Sequence, residues 1–120
     1  MVITMIKKAL SYETTINENM RGGEGSVKIE HLLTPEELNN KGRLCARITL
    51  EPGSSIGFHI HENEMEAYHI IAGEGEYDDN GETTITLHPG DTTHTPAGKG
   101  HSIKNTGTVP LEFLALILFE

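Results

Sequence analysis

Turn-forming residues divide this chain into short segments, and hardly any segment has the 3.6-residue spacing of an α-helix. Short runs of apolar and β-branched residues are separated by Pro52-Gly53, Asp79-Asn80-Gly81, Pro89-Gly90 and Asn105-Thr106-Gly107. The Asn-Gly pair can take the positive φ angles of a type I′ turn, so it predicts a hairpin. Many short strands joined by such turns are typical of a β-sandwich or a closed barrel. We therefore predict an all-β fold.

The predicted strands occupy residues 27–33, 44–50, 56–61, 66–72, 74–78, 82–87, 92–95, 100–105 and 109–119. A short helical turn is predicted near residues 34–38, with Thr34 as N-cap and Glu37 closing a capping box. At 120 residues the chain is expected to form one domain. Residues 26–120 are expected to form the barrel and residues 1–25 an N-terminal strand or extension. That extension could pair within its own barrel or reach across to a second subunit.

Three histidines and one glutamate have the residue types and the spacing of a metal site. His59 and His61 are two residues apart, so both side chains point to the same face of a strand. Glu66 lies in the next predicted strand and His101 in a third element. Neutral imidazoles with one carboxylate suit Mn, Fe, Ni, Cu or Zn better than Ca or Mg. Four such ligands on a metal that prefers six leave two positions for water or substrate.

The alternative is that these four side chains belong to a barrel that has lost its metal. Burying three histidines and a carboxylate together without a cation would cost hydrogen bonds and leave a charge unpaired. Binding of one divalent transition metal per chain is therefore the favoured interpretation. Glu66 supplies a hard oxygen donor and a negative charge, which favours Mn or Fe over Ni, Zn or Cu.

The spacing around these residues resembles the two conserved motifs of the cupin superfamily. The first motif is filled by Gly53, His59, His61, Glu66 and Gly73, and the second by Gly90, Pro96, Gly98, His101 and Asn105. The resemblance implies a small double-stranded β-helix, or jelly-roll barrel, with the metal inside its mouth. Among cupins, the chain looks most like the small ones that are compared with oxalate decarboxylase. It differs from that enzyme in having one cupin unit and in carrying Ile56 where an arginine for oxalate would be expected.

Four further residues are candidates for catalysis or substrate binding. Tyr68 follows Glu66 by two residues and should share its face, where it could hydrogen-bond a substrate, act as an acid or form a wall of the pocket. His94 could supply a second base if its strand register turns it inward. Arg47 could bind an anion near the cavity, since guanidinium groups pair with carboxylates, or it could be a solvated surface residue. Arg21, in a glycine-rich segment, is a further candidate of the same kind.

Charge balance and cysteine content exclude several classes of protein. A net charge of −9 argues against a nucleic-acid surface, because the scattered Lys and Arg residues cannot displace counterions from phosphates. The single cysteine, Cys45, excludes an internal disulfide and fits a reducing, cytoplasmic compartment. The apolar run at residues 111–119 is too short to span a membrane. Strands buried on both faces have this pattern, so we expect one face to pack on the barrel and the other on the second subunit of a homodimer.

Three function classes remain to be distinguished. The first is a metalloenzyme of the decarboxylase, dioxygenase, isomerase or lyase class, acting on a small carboxylate or enediol bound at the metal. The fold alone does not select among these reactions. The alternative is a non-catalytic cupin that binds or senses a metal or a small ligand, for which a pocket lined by apolar groups would be typical. A metal-free ligand binder is a third class, against which the complete set of four ligands counts.

Overall fold

The computed structural model describes residues 4–120, and secondary structure in that range is almost entirely β. Its ten strands are β1 (Glu13–Glu18), β2 (Ser26–Leu33), β3 (Gly42–Leu50), β4 (Ser55–Ile60), β5 (Glu64–Ala72), β6 (Gly75–Asp79), β7 (Thr83–Leu87), β8 (Thr92–Thr95), β9 (Gly100–Asn105) and β10 (Leu111–Phe119). The strands β2 to β10 confirm the predicted ones, with ends that differ by at most two residues. No helix in residues 4–120 is long and apolar enough to cross a bilayer.

The strands form two antiparallel sheets. The larger sheet has the order β1-β2-β3-β10-β5-β8, and the smaller one has the order β4-β9-β6-β7. The chain changes sheet between β4 and β5, and again between β5 and β6. Consecutive segments of the chain therefore face each other across the interior, which is the jelly-roll arrangement that the sequence predicted.

Side chains that alternate along the strands fill the space between the sheets. In β10, Leu111, Phe113, Ala115 and Ile117 are buried, whereas Leu114 between them is 40% exposed. In β3 the buried positions include Ala46, Ile48 and Leu50. This period of two shows that one face of each strand is directed to the core. The second face of β10, which the sequence predicted to be buried as well, is only partly covered within a single chain.

Two local predictions from turn chemistry are confirmed. The backbone N–H of Thr34 donates to Glu37 Oε1 at 2.8 Å, and the Glu37 N–H donates to Thr34 Oγ1 at 3.1 Å. These reciprocal bonds make the predicted capping box, within a turn spanning residues 35–40. Asn80 and Gly81 have φ angles of 57° and 72° and join β6 to β7 as an antiparallel hairpin.

The N-terminal segment pairs within its own chain. β1 lies antiparallel to β2, with Glu13 opposite His31 and Glu18 opposite Ser26, and it forms the edge of the larger sheet. A single 3-10 turn at Met20–Gly22 then leads into β2. This turn packs against β4 of the opposite sheet.

Candidate metal centre

The four predicted ligands converge at one point between the two sheets. His59 lies in β4, His61 just after it, Glu66 in β5 and His101 in β9. The pairing of β4 with β9 places His59 directly opposite His101, while Glu66 reaches the site from the larger sheet. One potential ligand atom from each residue lies within 4.8 Å of all the others. Bonds from an ion such as zinc to nitrogen or oxygen are about 2.0–2.2 Å long, so donors on opposite sides of an ion lie roughly 4 Å apart. The cluster therefore has the span of a single-ion site.

The closest approaches centre on one carboxylate oxygen. The Nε2 atoms of His61 and His101 each lie 2.9 Å from Glu66 Oε1, and they are 3.1 Å from each other. His59 Nε2 lies 4.0 Å from the same oxygen. The side chains of Glu66 and His101 are almost completely buried, so this centre is shielded from bulk water.

The outer nitrogens of two rings fix how the inner nitrogens are protonated. His59 Nδ1 donates to the Gly57 carbonyl at 2.8 Å, because a carbonyl can only accept. His61 Nδ1 likewise donates to Glu64 Oε2 at 2.6 Å. In their neutral forms both rings therefore direct an Nε2 lone pair towards the Glu66 carboxylate. Lone pairs that converge on an anion repel each other unless a cation lies between them, so the donor set fits a metal ion.

The pKa shifts within the cluster also indicate that a positive charge beside Glu66 is favourable. A hydrogen bond to Glu66 raises the pKa of His61, while burial opposes the rise and Glu64 adds to it. Burial lowers the pKa of His101, with its hydrogen bond to Glu66 acting in the opposite direction. Burial favours the neutral acid form of Glu66, but its contacts with His101, His59 and His61 hold its pKa well below the usual range. Glu66 is therefore anionic at neutral pH, and in the metal-free protein His61 attracts a proton.

A paired carboxylate behind His61 orients that ring. Arg43 donates to Glu64 through Nε at 2.7 Å and through Nη2 at 2.8 Å, and Glu64 accepts the His61 Nδ1 proton. The hydrogen bond from Arg43 lowers the pKa of Glu64, so the carboxylate stays charged. The sequence interpretation did not include Arg43 or Glu64. Glu64 stands two residues before Glu66 and shares its strand face, a signal that could have identified it.

Two hydroxyl groups orient His101 in the same way. Tyr77 Oη and Thr95 Oγ1 lie 2.8 Å and 3.0 Å from His101 Nδ1, and 3.0 Å from each other. All three side chains are buried. Hydrogen-bonded partners of this kind hold a metal-binding ring in one orientation. Neither Tyr77 nor Thr95 was predicted as a site residue.

Replacing Glu64 with glutamine is expected to weaken metal binding by about 10- to 100-fold, the usual effect of losing the partner behind a ligand. Glutamine keeps the size of the side chain but carries no charge. The negative charge of Glu64 orients the His61 ring and increases the basicity of that ring, so both effects are lost. The Glu112→Gln variant is the matched control, because Glu112 accepts from Arg47 at 2.9 Å on the outer face of the same sheet. Titration of both variants with Mn²⁺ makes the comparison. Equal affinities in both would contradict the role of Glu64.

A cavity of about 330 Å³ opens onto the cluster. Its wall includes His59, His61, Glu66 and Tyr68, so Tyr68 shares the inward face as predicted. The Tyr68 ring stacks on His101, with centroids 4.8 Å apart and an interplanar angle of 22°. Burial raises the pKa of Tyr68 well above its usual range, which keeps the hydroxyl protonated. Its part in catalysis stays a prediction.

The structure decides the orientations of Arg47 and His94, which the sequence left open. Arg47 alternates with the buried residues of β3, so its side chain points away from the interior and binds Glu112. His94 lies between buried Thr93 and Thr95 in β8, so it is on the exposed face. Neither residue lines the cavity at the cluster. The guanidinium groups that do line it belong to Arg21 and Arg43.

Comparisons with known proteins agree with this geometry. A family profile described as "Cupin domain" matches residues 46–117. An oxalate-binding protein of Thermotoga maritima is 52% identical over 100 residues, which cover 83% of this chain and 82% of that protein. Oxalate decarboxylase of Bacillus subtilis is 32% identical over 75 residues, which are 59% of this chain but only 20% of that enzyme.

Among solved structures, a predicted oxalate decarboxylase of Thermotoga maritima superimposes with a TM-score of 0.92 and 46% sequence identity. The match covers 97% of this chain and 100% of the Thermotoga chain. The cupin domain of Cnp3 from Schizosaccharomyces pombe has a TM-score of 0.70 at 16% identity, which is a likeness of fold alone. Both motifs, the jelly-roll topology, the clustered histidines and glutamate and the profile match thus lead to one conclusion: this chain belongs to the cupin family.

Proposed function

We propose that this chain binds one divalent transition metal through His59, His61, Glu66 and His101, and that it holds a small carboxylate on that metal. The observation that carries the proposal is the convergence of two inward-facing imidazole nitrogens on Glu66 Oε1. When bound, the metal would act as a Lewis acid and a template for oxygen donors. Glu66 supplies a hard oxygen donor, so we propose Mn or Fe as the native metal.

Two observations support an anionic ligand, with oxalate as the first candidate. A divalent ion carries more positive charge than Glu66 neutralises, and the charge of Arg43 is balanced by Glu64. The loaded cavity would therefore be positive and would attract a carboxylate. The names of the Thermotoga protein and of the Thermotoga structure both refer to oxalate, and the cavity is of a size suited to a small molecule.

A second candidate function is chemical turnover of the bound ligand. The observation that favours it is the position of the Tyr68 hydroxyl. This buried hydroxyl holds a proton in the wall of the cavity, where it could donate to a ligand on the metal. Glu66 is the one carboxylate that lines this cavity among residues 4–120, and it is assigned to the metal. The apolar wall formed by Ile48, Ile56 and Ile117 instead suits a protein that binds without reacting.

The test begins with metal analysis of untagged protein purified without chelators from cells supplied with manganese and iron. We expect one equivalent of Mn or Fe per chain. Calorimetry with oxalate then compares the loaded and the metal-free protein, and we expect binding only to the loaded one. Formation of CO₂ or formate from bound oxalate would establish turnover, whereas recovery of intact oxalate would establish a binding protein. Protein that takes up no metal, even when metal is added, would overturn the proposal.

We also propose a homodimer formed through the outer face of the larger sheet. A groove of about 290 Å³ on this face is lined mainly by apolar residues, among them Leu32, Cys45, Ala67, Leu114 and Leu116. Apolar surface that crosses several adjacent strands favours an interface, and a twofold axis would place the same patch on both subunits. Sedimentation analysis should show a dimer for the native protein and a monomer for Leu114→Glu.

A further inference from the structure

Arg21 is a positively charged residue of the cavity with no partner among the described residues. Its side chain lines the same cavity as His59, His61 and Glu66, and within residues 4–120 it makes no ion pair or side-chain hydrogen bond. The other guanidinium of the cavity, that of Arg43, is held by two hydrogen bonds to Glu64. Of the two guanidinium groups that line the cavity, Arg21 is therefore the one without a partner in residues 4–120, and it can bind a ligand.

The backbone that carries Arg21 is held in a sparsely populated conformation. Asn19 and Arg21 have φ angles of 49° and 55°, in the left-handed region that non-glycine residues rarely adopt. The side chain of Asn19 donates to the Gly23 carbonyl at 3.1 Å, and its backbone N–H donates to the Gly25 carbonyl at 2.8 Å. These bonds keep the turn folded although two of its residues have unfavourable angles.

Two glycines allow this turn to lie directly on the strand that carries His59. A Cβ atom at Gly57 would lie 2.1 Å from the Arg21 carbonyl oxygen, and one at Gly23 would lie 2.3 Å from the Ser55 carbonyl oxygen. Ser55 also binds the backbone of Glu24 through two hydrogen bonds of 2.8 Å. Gly57 accepts the Nδ1 proton of His59 as well. The same short stretch of β4 therefore fixes both a candidate metal ligand and the position of Arg21.

The charges around the cavity also favour an anionic ligand beside Arg21. Arg21 lines the same cavity as His59, His61 and Glu66, so its charge borders the space in which a ligand would be held. A divalent metal partly neutralised by Glu66 leaves about one positive charge at the centre, and Arg21 adds another. The loaded cavity thus matches a dianion better than a monoanion.

We propose that Arg21, supplied by the N-terminal turn, binds the carboxylate of a small dicarboxylate ligand held at the metal centre and selects dianions over monoanions. This inference rests on the proposed function and names the residue that gives that site its selectivity. A planar guanidinium can form two parallel hydrogen bonds with a carboxylate, which a lysine ammonium cannot reproduce. Arg21 lies in the turn at Met20–Gly22, which comes before both histidine motifs in the sequence and belongs to neither.

The experiment uses the full chain loaded with Mn²⁺ and compares wild type with Arg21→Met, Arg21→Lys and Arg47→Met. Calorimetry measures the affinity for oxalate, a dianion, and for glycolate, a monoanion of similar size. We expect Arg21→Met to lose at least about tenfold in oxalate affinity, the effect of one charged hydrogen-bonding group. Glycolate affinity should change much less, so the preference for oxalate should fall. Arg21→Lys should recover only part of the loss, and Arg47→Met removes the same charge from the outer face and should behave as wild type.

Mn²⁺ affinity, measured on the same samples, separates this inference from the proposed function. We expect it to be unchanged in both Arg21 variants, and their melting temperatures to match that of wild type. Unchanged oxalate affinity in Arg21→Met, or equal loss of oxalate, glycolate and Mn²⁺ affinity, would overturn the role of Arg21 and leave the proposed function in place. Wild-type protein that takes up Mn²⁺ but not oxalate would overturn the proposed ligand and this inference together.

Discussion

The His61→Ala variant is expected to lose stoichiometric metal binding while keeping its fold. The substitution removes the imidazole that lies 2.9 Å from Glu66 Oε1 and 3.1 Å from His101 Nε2. It also detaches the Arg43–Glu64 pair from the centre, because Glu64 reaches the centre through His61 Nδ1. Loss of a ligand together with its supporting partner should exceed the roughly 100-fold upper effect of losing such a partner alone. Metal analysis and Mn²⁺ titration of the purified variant measure this loss.

The His69→Ala variant is the matched control for that experiment. His69 lies on the outer face of β5, where it is exposed and contacts Thr92 Oγ1 at 2.8 Å. It should retain one equivalent of metal, whereas His61→Ala should retain almost none. Circular dichroism should give the same β-sheet spectrum for both variants, because the apolar core does not include either ring. One equivalent of tightly bound metal in His61→Ala would contradict the ligand assignment.

Acidification is expected to release the metal over the range in which histidines become protonated. A metal binds only the deprotonated nitrogen, so every proton taken up by a ligand in the free protein competes with the ion. The raised pKa of His61 extends its protonation to higher pH, so competition begins there as pH falls. The lowered pKa of His101 delays its protonation, and that of Glu66 stays well below the usual range. Metal affinity should therefore decrease as the pH is lowered, by about tenfold per pH unit for each histidine that must release a proton when the metal binds.

Mn²⁺ titrations between about pH 8 and pH 5 measure this dependence, since an unperturbed histidine titrates near pH 6.5. Calorimetry in two buffers with different ionisation enthalpies should also detect protons released as the metal binds. An affinity that stays constant down to about pH 5 and falls only where carboxylates are protonated would contradict a site built on three imidazoles.

The all-β architecture could be predicted because its signals are local. Turn residues such as Asn80 and Gly81 act within four residues, and so does the capping box of Thr34 and Glu37. Strand alternation also placed Tyr68 correctly on the face of Glu66. The strand β1 had no predicted bounds, since its six residues are all exposed and show no alternation of apolar and polar positions.

The sequence left the orientations of Arg47 and His94 open for a physical reason. Neighbours on both faces of β3 include apolar residues, with Cys45 on the outer face and Ala46 on the inner one, so the pattern did not decide the orientation of Arg47. His94 lies in the sequence Thr-Thr-His-Thr, which has no apolar residue to mark the core side. The buried face of this strand is decided by the sheet that packs against it. Four polar residues give no alternation of apolar and polar positions from which that face could be predicted.

By itself, the sequence determined the strand order along the chain, the turns and the four residues expected to hold the metal. The turns and strands depend on residue type and on spacing within one or two strands, whereas the four candidate ligands follow from the spacing of two motifs that resemble those of cupins. Only the tertiary structure decided which polar groups surround that centre. Arg43 meets Glu64 across 21 positions of sequence, Tyr77 meets His101 across 24, and the turn of Arg21 lies on Gly57. Such contacts follow from how two sheets pack face to face, because the packing brings together residues whose separation along the chain has no regular period.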